Sequence, residues 1–372
     1  MADAPQLSKG PRAEECLRMH FLTSGAFVAR GVKLLQDGEE VTDIDVWAYF
    51  RSSEFDRSVV IADVKNKKRA KAFERVLWAR GVQNAVRADV AVIATTENRS
   101  DLAPFAARLG VRVIGGSALQ RLQQEVNDLQ TRLSQEAFEA EVDGTETARR
   151  QSLPSYRLEL ATARLATGID FSTLNFWVDE AVAAIRWAAE AKNSTAGALR
   201  CAYYLAALVA LGCDHLASMA PFETVQDRRE RLLAGLLYGA GGKDGRDKMV
   251  QFAEAAAKEF IDPTGAASAS IRKGLEKQLD ALPVTALAEF AAKTASAGEL
   301  FKAARELEAS AFANELVPPG GLKAELKIVL GVLADIGAVN RQQLFGLKID
   351  SRPRARKAGR DETDDLFRKS KE

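Results

Sequence analysis

Thr42-Asp43-Ile44-Asp45-Val46-Trp47 and Val59-Val60-Ile61-Ala62-Asp63-Val64-Lys65-Asn66-Lys67-Lys68, whose Asp63 follows Asp45 by eighteen residues, are the stretches on which the reading of this chain turns. Both are apolar runs rich in β-branched residues, and both are interrupted by acids. Residues two apart on a strand point the same way. Asp63 and Lys65 are therefore expected on one face, Asp43 and Asp45 likewise, with Ile44, Val46, Ala62 and Val64 on the opposite faces. Two strands that bring carboxylates and a lysine together supply the hard oxygen donors Mg²⁺ requires. A lysine beside such an ion can orient or polarise a water.

Around these stretches the pattern is that of a small α/β unit. Ala26–Leu35, Asp43–Phe50, Val59–Lys65, Asp89–Thr95 and Val111–Ile114 read as strands. Ala13–Thr23, Ala70–Arg80 and Ser100–Leu109 read as helices. The order predicts a mixed central sheet flanked by helices over residues 10–122.

After Ser117 strand patterns cease. Leu119, Leu122, Val126, Leu129 and Leu133 form a heptad-like seam. It reads either as a connecting helix or as a short coiled coil over 117–137 that pairs two copies. Residues 123–154 are taken as connecting helix and linker. Residues 155–347 follow as an all-α domain, with helices at Thr173–Lys192, Ala196–Leu216, Glu223–Tyr238, Asp247–Ile261, Ile271–Leu282, Ala286–Ala295, Glu299–Leu316 and Leu322–Ile336. Leu322–Leu344 could form a helix-turn-helix-like pair, although that texture is more often a packing unit. The tail 348–372 is expected to be disordered: from Arg352 it carries eight basic and five acidic residues and almost nothing apolar.

Composition narrows the function classes. The 372 residues are 47% hydrophobic and 28% charged, which excludes wholesale disorder and collagen. Lys plus Arg (52) balances Asp plus Glu (51), so net charge names no partner. With only His20 and His215, an HExxH or His-rich zinc site is excluded. No GxSxG is present, and Gly241-Gly242-Lys243 lacks the strand and hydroxyl residue of a phosphate-binding loop. Three cysteines without a CxxC fit free thiols in a reducing compartment. The Cys201–Cys213 apolar run is too short to span a bilayer, and the N-terminus has no apolar core. A cytoplasmic location is therefore expected. Charge is concentrated locally: Arg57 to Arg87 holds nine basic residues against Asp63 and Glu74, a net of +7. Lys67, Lys68, Arg69 and Lys71, directly after Asp63-Val64-Lys65, are candidates to neutralise phosphates, the alternative being a solvated helix face.

At these residues the chain resembles the PD-(D/E)xK, or restriction endonuclease-like, nuclease superfamily, over about residues 10–122. The family signature of a helix Glu, a strand Asp and then (D/E)-x-K falls on Glu15, Asp45 and Asp63-Val64-Lys65, with Glu14 an alternative to Glu15. No proline precedes Asp45. Phe105–Ile114 is similar to the closing helix and strand of the DNA-restriction and Holliday-junction-resolvase branches. There a glutamine after the basic helix joins the site, which here would be Gln83. The resemblance implies Mg²⁺- or Mn²⁺-dependent hydrolysis of DNA phosphodiesters, in restriction, anti-phage defence or repair. Asp45, Asp63 and Glu15 would hold the metal and Lys65 would act on the water. Two other readings stay open: a nucleic-acid-binding or assembly module that keeps the fold without turnover, and a helical scaffold for a protein partner.

Overall fold

The computed structural model describes residues 9–65, 71–125, 132–144, 154–190, 196–261, 270–274, 277 and 283–349. Its first part runs α1 (Lys9–Thr23), β1 (Phe27–Gln36), β2 (Glu39–Arg51), β3 (Arg57–Lys65), α2 (Ala72–Ala85), β4 (Val90–Thr95), α3 (Leu102–Arg108), β5 (Val111–Ile114) and α4 (Gly116–Glu125). The five strands form one mixed sheet in the order β1-β2-β3-β4-β5. β1, β2 and β3 pair antiparallel through short turns. β4 and β5 are added in parallel through the crossovers α2 and α3.

Alternation along the strands assigns the faces. Val28, Val46, Ala48, Ala62, Val64 and Val92 pack against Ala13 and Leu17 of α1 and Leu119 of α4. Phe27, Ala29, Trp47, Tyr49, Ile61 and Ile93 face the other way, with Val76, Ala79 and Val82 of α2 and Leu102 of α3. The expected alternation fails at one place. It puts Ile44 and Val46 on one face, but Ile44 belongs to the α2 side and Val46 to the α1 side. There β1 passes through Gly31, whose φ of 61° lies in the left-handed region, between the pairs Arg30↔Val46 and Val32↔Ile44. The β2–β3 ladder stops at the pair Val46↔Ala62. A strand freed from one neighbour and twisted by the other turns Asp45 out of its expected phase.

Helices follow: α5 (Gln135–Asp143), α6 (Pro154–Thr167), α7 (Phe171–Glu190), α8 (Ala196–Ser218), α9 (Val225–Tyr238), α10 (Gly242–Phe260), α11 (Thr285–Thr294), α12 (Glu299–Phe312), α13 (Ala324–Ile336) and α14 (Arg341–Phe345). α8 is the hub, packed against α7 and α12, and nearly every residue in it is buried. Contrary to the reading of Cys201–Cys213 as too short, the whole α8 is long and apolar enough to cross a membrane, but 94% of its apolar window is buried inside the protein. Gly197 at its start lies so close to α5 that a Cβ there would stand 2.4 Å from the Glu141 carbonyl oxygen.

Several expectations are corrected. A continuous helix over 117–137 is absent: Arg132 pairs with Ala313 in an extended bridge, Leu133 N–H donates to the Phe312 carbonyl, and α5 starts anew with Ser134 as its cap. Val126 and Leu129 of the expected seam lie outside the described residues. The stretch taken as connecting helix and linker holds a separate helix, α5, whose Phe138 and Val142 are buried. The helical region begins with α6, ahead of the first helix that the sequence pattern marks. α14 is a five-residue turn whose Leu344 is buried and whose Gln343 donates to the Ala189 carbonyl of α7, a packing unit. Most of the helix expected at Ile271–Leu282 and the tail 350–372 lie outside the described residues.

One buried apolar cluster runs from the sheet into the helices, uniting Trp47, Tyr49 and Ile61 with Leu205, Leu307 and Phe312. Tyr49 joins the two parts in polar and aromatic terms. Its ring meets Phe301, and its hydroxyl lies 3.2 Å from Nδ1 of His215. Arg57 of β3 pairs with Asp214 of α8 at 2.8 Å.

Candidate functional site

The site lies where β2 and β3 part. One step beyond the last ladder pair, the Val64 N–H donates to Asp45 Oδ2 at 2.6 Å. The Asp45 side chain thus continues the ladder that the β2 backbone has left, and its carboxylate is fixed against the residue next to Asp63. Both acids are buried, at 8% and 4% exposure. Asp63 shares the face of Ile61. It lines a narrow crevice with Ile44, Trp78, Ala79 and Val82, beneath α2. Lys65 ends β3 opposite Thr95 of β4.

Asp63 is held by a residue of the basic run that follows it. Arg75 Nε donates to Asp63 Oδ2 at 2.8 Å, and its Nη2 engages Oδ1. The guanidinium carbon of Arg75 sits 3.9 Å from the centroid of the Trp78 ring. No signal in spacing marks this pair, because Asp63 and Arg75 meet only once α2 folds back over β3.

The structure does not bring Glu15 to this place. Glu15 is 2% exposed on the α1 side of the sheet, where it accepts from Arg18 Nη1 at 2.9 Å and Arg30 Nη1 at 2.5 Å. Glu14 pairs with Arg30 at 2.6 Å. Arg18 continues to Glu308 of α12 at 2.7 Å, which Arg132 also reaches at 2.5 Å. Burial would push the Glu15 carboxyl up, but Arg18 and Arg30 outweigh it and hold it below the usual carboxylate range. A strand arginine, Arg30, is the missed signal: a fully buried acid requires a partner.

Gln83 is likewise engaged elsewhere. It is buried in the last turns of α2, which run on to Ala85 instead of ending near Arg80. Its Oε1 accepts from Arg80 at 2.8 Å, and its Nε2 donates to the Asp89 carbonyl at 2.9 Å, closing the turn into β4. Lys67, Lys68 and Arg69 lie outside the described residues. Lys71 stands in a left-handed conformation just before α2, 74% exposed, and pairs with Glu74. Arg57 is spoken for by Asp214. Part of the local positive charge is thus neutralised within the fold. Cys16, Cys201 and Cys213 are buried and unpaired, and burial pushes the last two thiols up to about 12, which leaves them unreactive.

Among the described residues no group of three or more His, Cys, Asp and Glu gathers to hold an ion. Asp45 and Asp63 remain a pair of hard oxygen donors. That suits Mg²⁺, which keeps several waters and binds through one or two carboxylates plus substrate phosphate. Comparison of the chain with protein-family models, with curated proteins and with solved structures gave no match.

Proposed function

We propose that this protein is a Mg²⁺-dependent nuclease that hydrolyses DNA phosphodiester bonds. The observation that carries the reading is the placement of Asp45. A strand acid anchored on the backbone beside Asp63, on a sheet of three antiparallel and two parallel strands, sets two carboxylates at the end of β3, with Lys65 completing Asp63-Val64-Lys65. Asp45 and Asp63 are the residues that would hold the ion. Bound there, Mg²⁺ would supply charge for the phosphoryl oxygens and lower the pKa of a water. Lys65 would orient an attacking water toward phosphorus, and the basic segment Lys67 to Lys71 would receive the flanking phosphates. Glu15 is assigned a structural part, fastening α1 to β1 and α12.

A setting in restriction, anti-phage defence or repair, and a cytoplasmic location, belong to the same proposal. The helical part, joined to the sheet by Tyr49, Arg57 and Arg18, is proposed as the region that contacts a protein partner or a second copy. One observation favours a second reading. Asp63 and Glu15 are both neutralised by arginines, as in a nucleic-acid-binding or assembly module that retains the fold without turnover. The experiment that separates them incubates the full chain with single- and double-stranded DNA and Mg²⁺ or Mn²⁺. Cleavage supports the nuclease. Binding without cleavage of any substrate supports the module.

A further inference from the structure

Asp63 is covered by a residue of its own fold. The Arg75 contact occupies both carboxylate oxygens, leaving the Asp63 side chain 3% exposed while Arg75 itself is 25% exposed. The guanidinium lies between the carboxylate and the face of Trp78. Arg75 is the fourth residue of α2, a helix entered through left-handed Lys71 without a side-chain cap. Around Asp63 the strand is buried from Val60 to Val64. The arginine that covers it sits on a long side chain at the rim, with an aromatic ring to rest on once it lets go.

A divalent ion that takes the lone pairs of Asp63 now held by Arg75 must displace the guanidinium from the buried carboxylate. Building on the nuclease reading of this site, we infer that Arg75 is a resident counter-charge of Asp63 and lowers the site's ion affinity by competition. When an ion binds, the guanidinium swings off Asp63 and stays at the rim beside Trp78. Its planar fork there matches the phosphate of an incoming strand. Arg75 thus neutralises a buried carboxylate before an ion arrives, and meets the substrate backbone once the ion is in place. The same residue couples the order of binding, with the ion first and the phosphate second.

The test uses the full chain without DNA. Mn²⁺ binding is followed by electron paramagnetic resonance for wild type, Arg75→Gln, Arg75→Lys and Asp63→Asn. Arg75→Gln removes one charge-assisted competitor and should tighten Mn²⁺ about tenfold or more, with Arg75→Lys in between. Asp63→Asn should weaken it below wild type. Mg²⁺ should change tryptophan emission in wild type and not in Trp78→Phe, because the Arg75 guanidinium shifts over the Trp78 ring as it leaves Asp63. Should Arg75→Gln fold poorly, Arg75→Lys keeps the charge, and tighter Mn²⁺ binding by that variant supports the competition equally. Equal or weaker Mn²⁺ affinity in both Arg75 variants, with binding still lost in Asp63→Asn, overturns this inference and leaves the nuclease reading standing. No Mn²⁺ binding in any protein, Arg75→Gln included, overturns both.

Discussion

Replacing Glu308 by alanine should be among the most damaging single changes in this chain. Glu308 is completely buried on α12 and accepts from Arg18 of α1 at 2.7 Å and from Arg132 at 2.5 Å. Both guanidiniums also lie over the Phe312 ring, at 3.9 and 4.9 Å. Truncating the acid leaves Arg18, itself 1% exposed, with Glu15 alone to balance it while Arg30 competes for the same carboxylate. Breaking a buried pair by removing one partner costs about 3–5 kcal/mol. At roughly 2 °C per kcal/mol for a chain of this length, Tm should fall by roughly 6–10 °C. Thermal denaturation followed by circular dichroism reads this directly. Glu308→Gln keeps the shape and one acceptor and should cost less than alanine. Arg18→Met combined with Glu308→Leu removes the pair together and should recover part of the loss, since apolar replacement of a buried ion pair is often near neutral. A Glu308→Ala protein within about 2 °C of wild type would refute the argument that this cluster fastens α1 to the helices.

Three further outcomes follow from the same structure. A fragment ending near Glu125 should not fold cooperatively, because Trp47, Tyr49 and Ile61 share one buried cluster with the helices; a sharp thermal transition for it would show the sheet to be autonomous. Burial beside Arg57 lowers the His215 pKa to about 4 against an ordinary 6.5, so the folded state keeps the ring neutral while the unfolded chain takes up a proton. Stability should therefore fall as pH drops from about 6.5 towards 4, by up to about 3 kcal/mol, and urea titrations of His215→Gln should lose that slope. DNA binding should weaken steeply with salt, and Lys67→Glu with Lys68→Glu should flatten the slope by about two charges in a fluorescence-anisotropy titration; an unchanged slope would make the segment a solvated surface.

Much of the α/β unit is legible in the sequence, because short strands with apolar alternation leave little choice of element or order. All five strands lie within a few residues of where the pattern puts them. The phase at Asp45 is not legible, since it depends on a left-handed glycine in the neighbouring strand and on where a ladder stops. α5 and α6 escape notice because Gly144 and Pro154 read as a linker, whereas Pro154 opens a helix. At the site, Asp45 and Asp63 can be paired from strand geometry. The partners of Glu15 and Asp63 cannot, because Arg30 comes from a neighbouring strand and Arg75 from a helix that folds back over its acid. Nothing in a one-dimensional spacing distinguishes an arginine that meets a phosphate from one that neutralises a carboxylate.

The central claim rests on Asp45, Asp63 and Lys65 acting on DNA with a divalent ion. The most direct measurement compares wild type with Asp45→Ala, Asp63→Ala and Lys65→Ala, following Mg²⁺-dependent cleavage of linear and single-stranded DNA alongside calorimetric metal binding. Wild type should cleave, the two aspartate variants should lose both metal binding and cleavage, and Lys65→Ala should lose cleavage while keeping the metal. Cleavage that survives Asp63→Ala and Lys65→Ala, or a wild type that binds DNA yet cuts none of it, would contradict the claim.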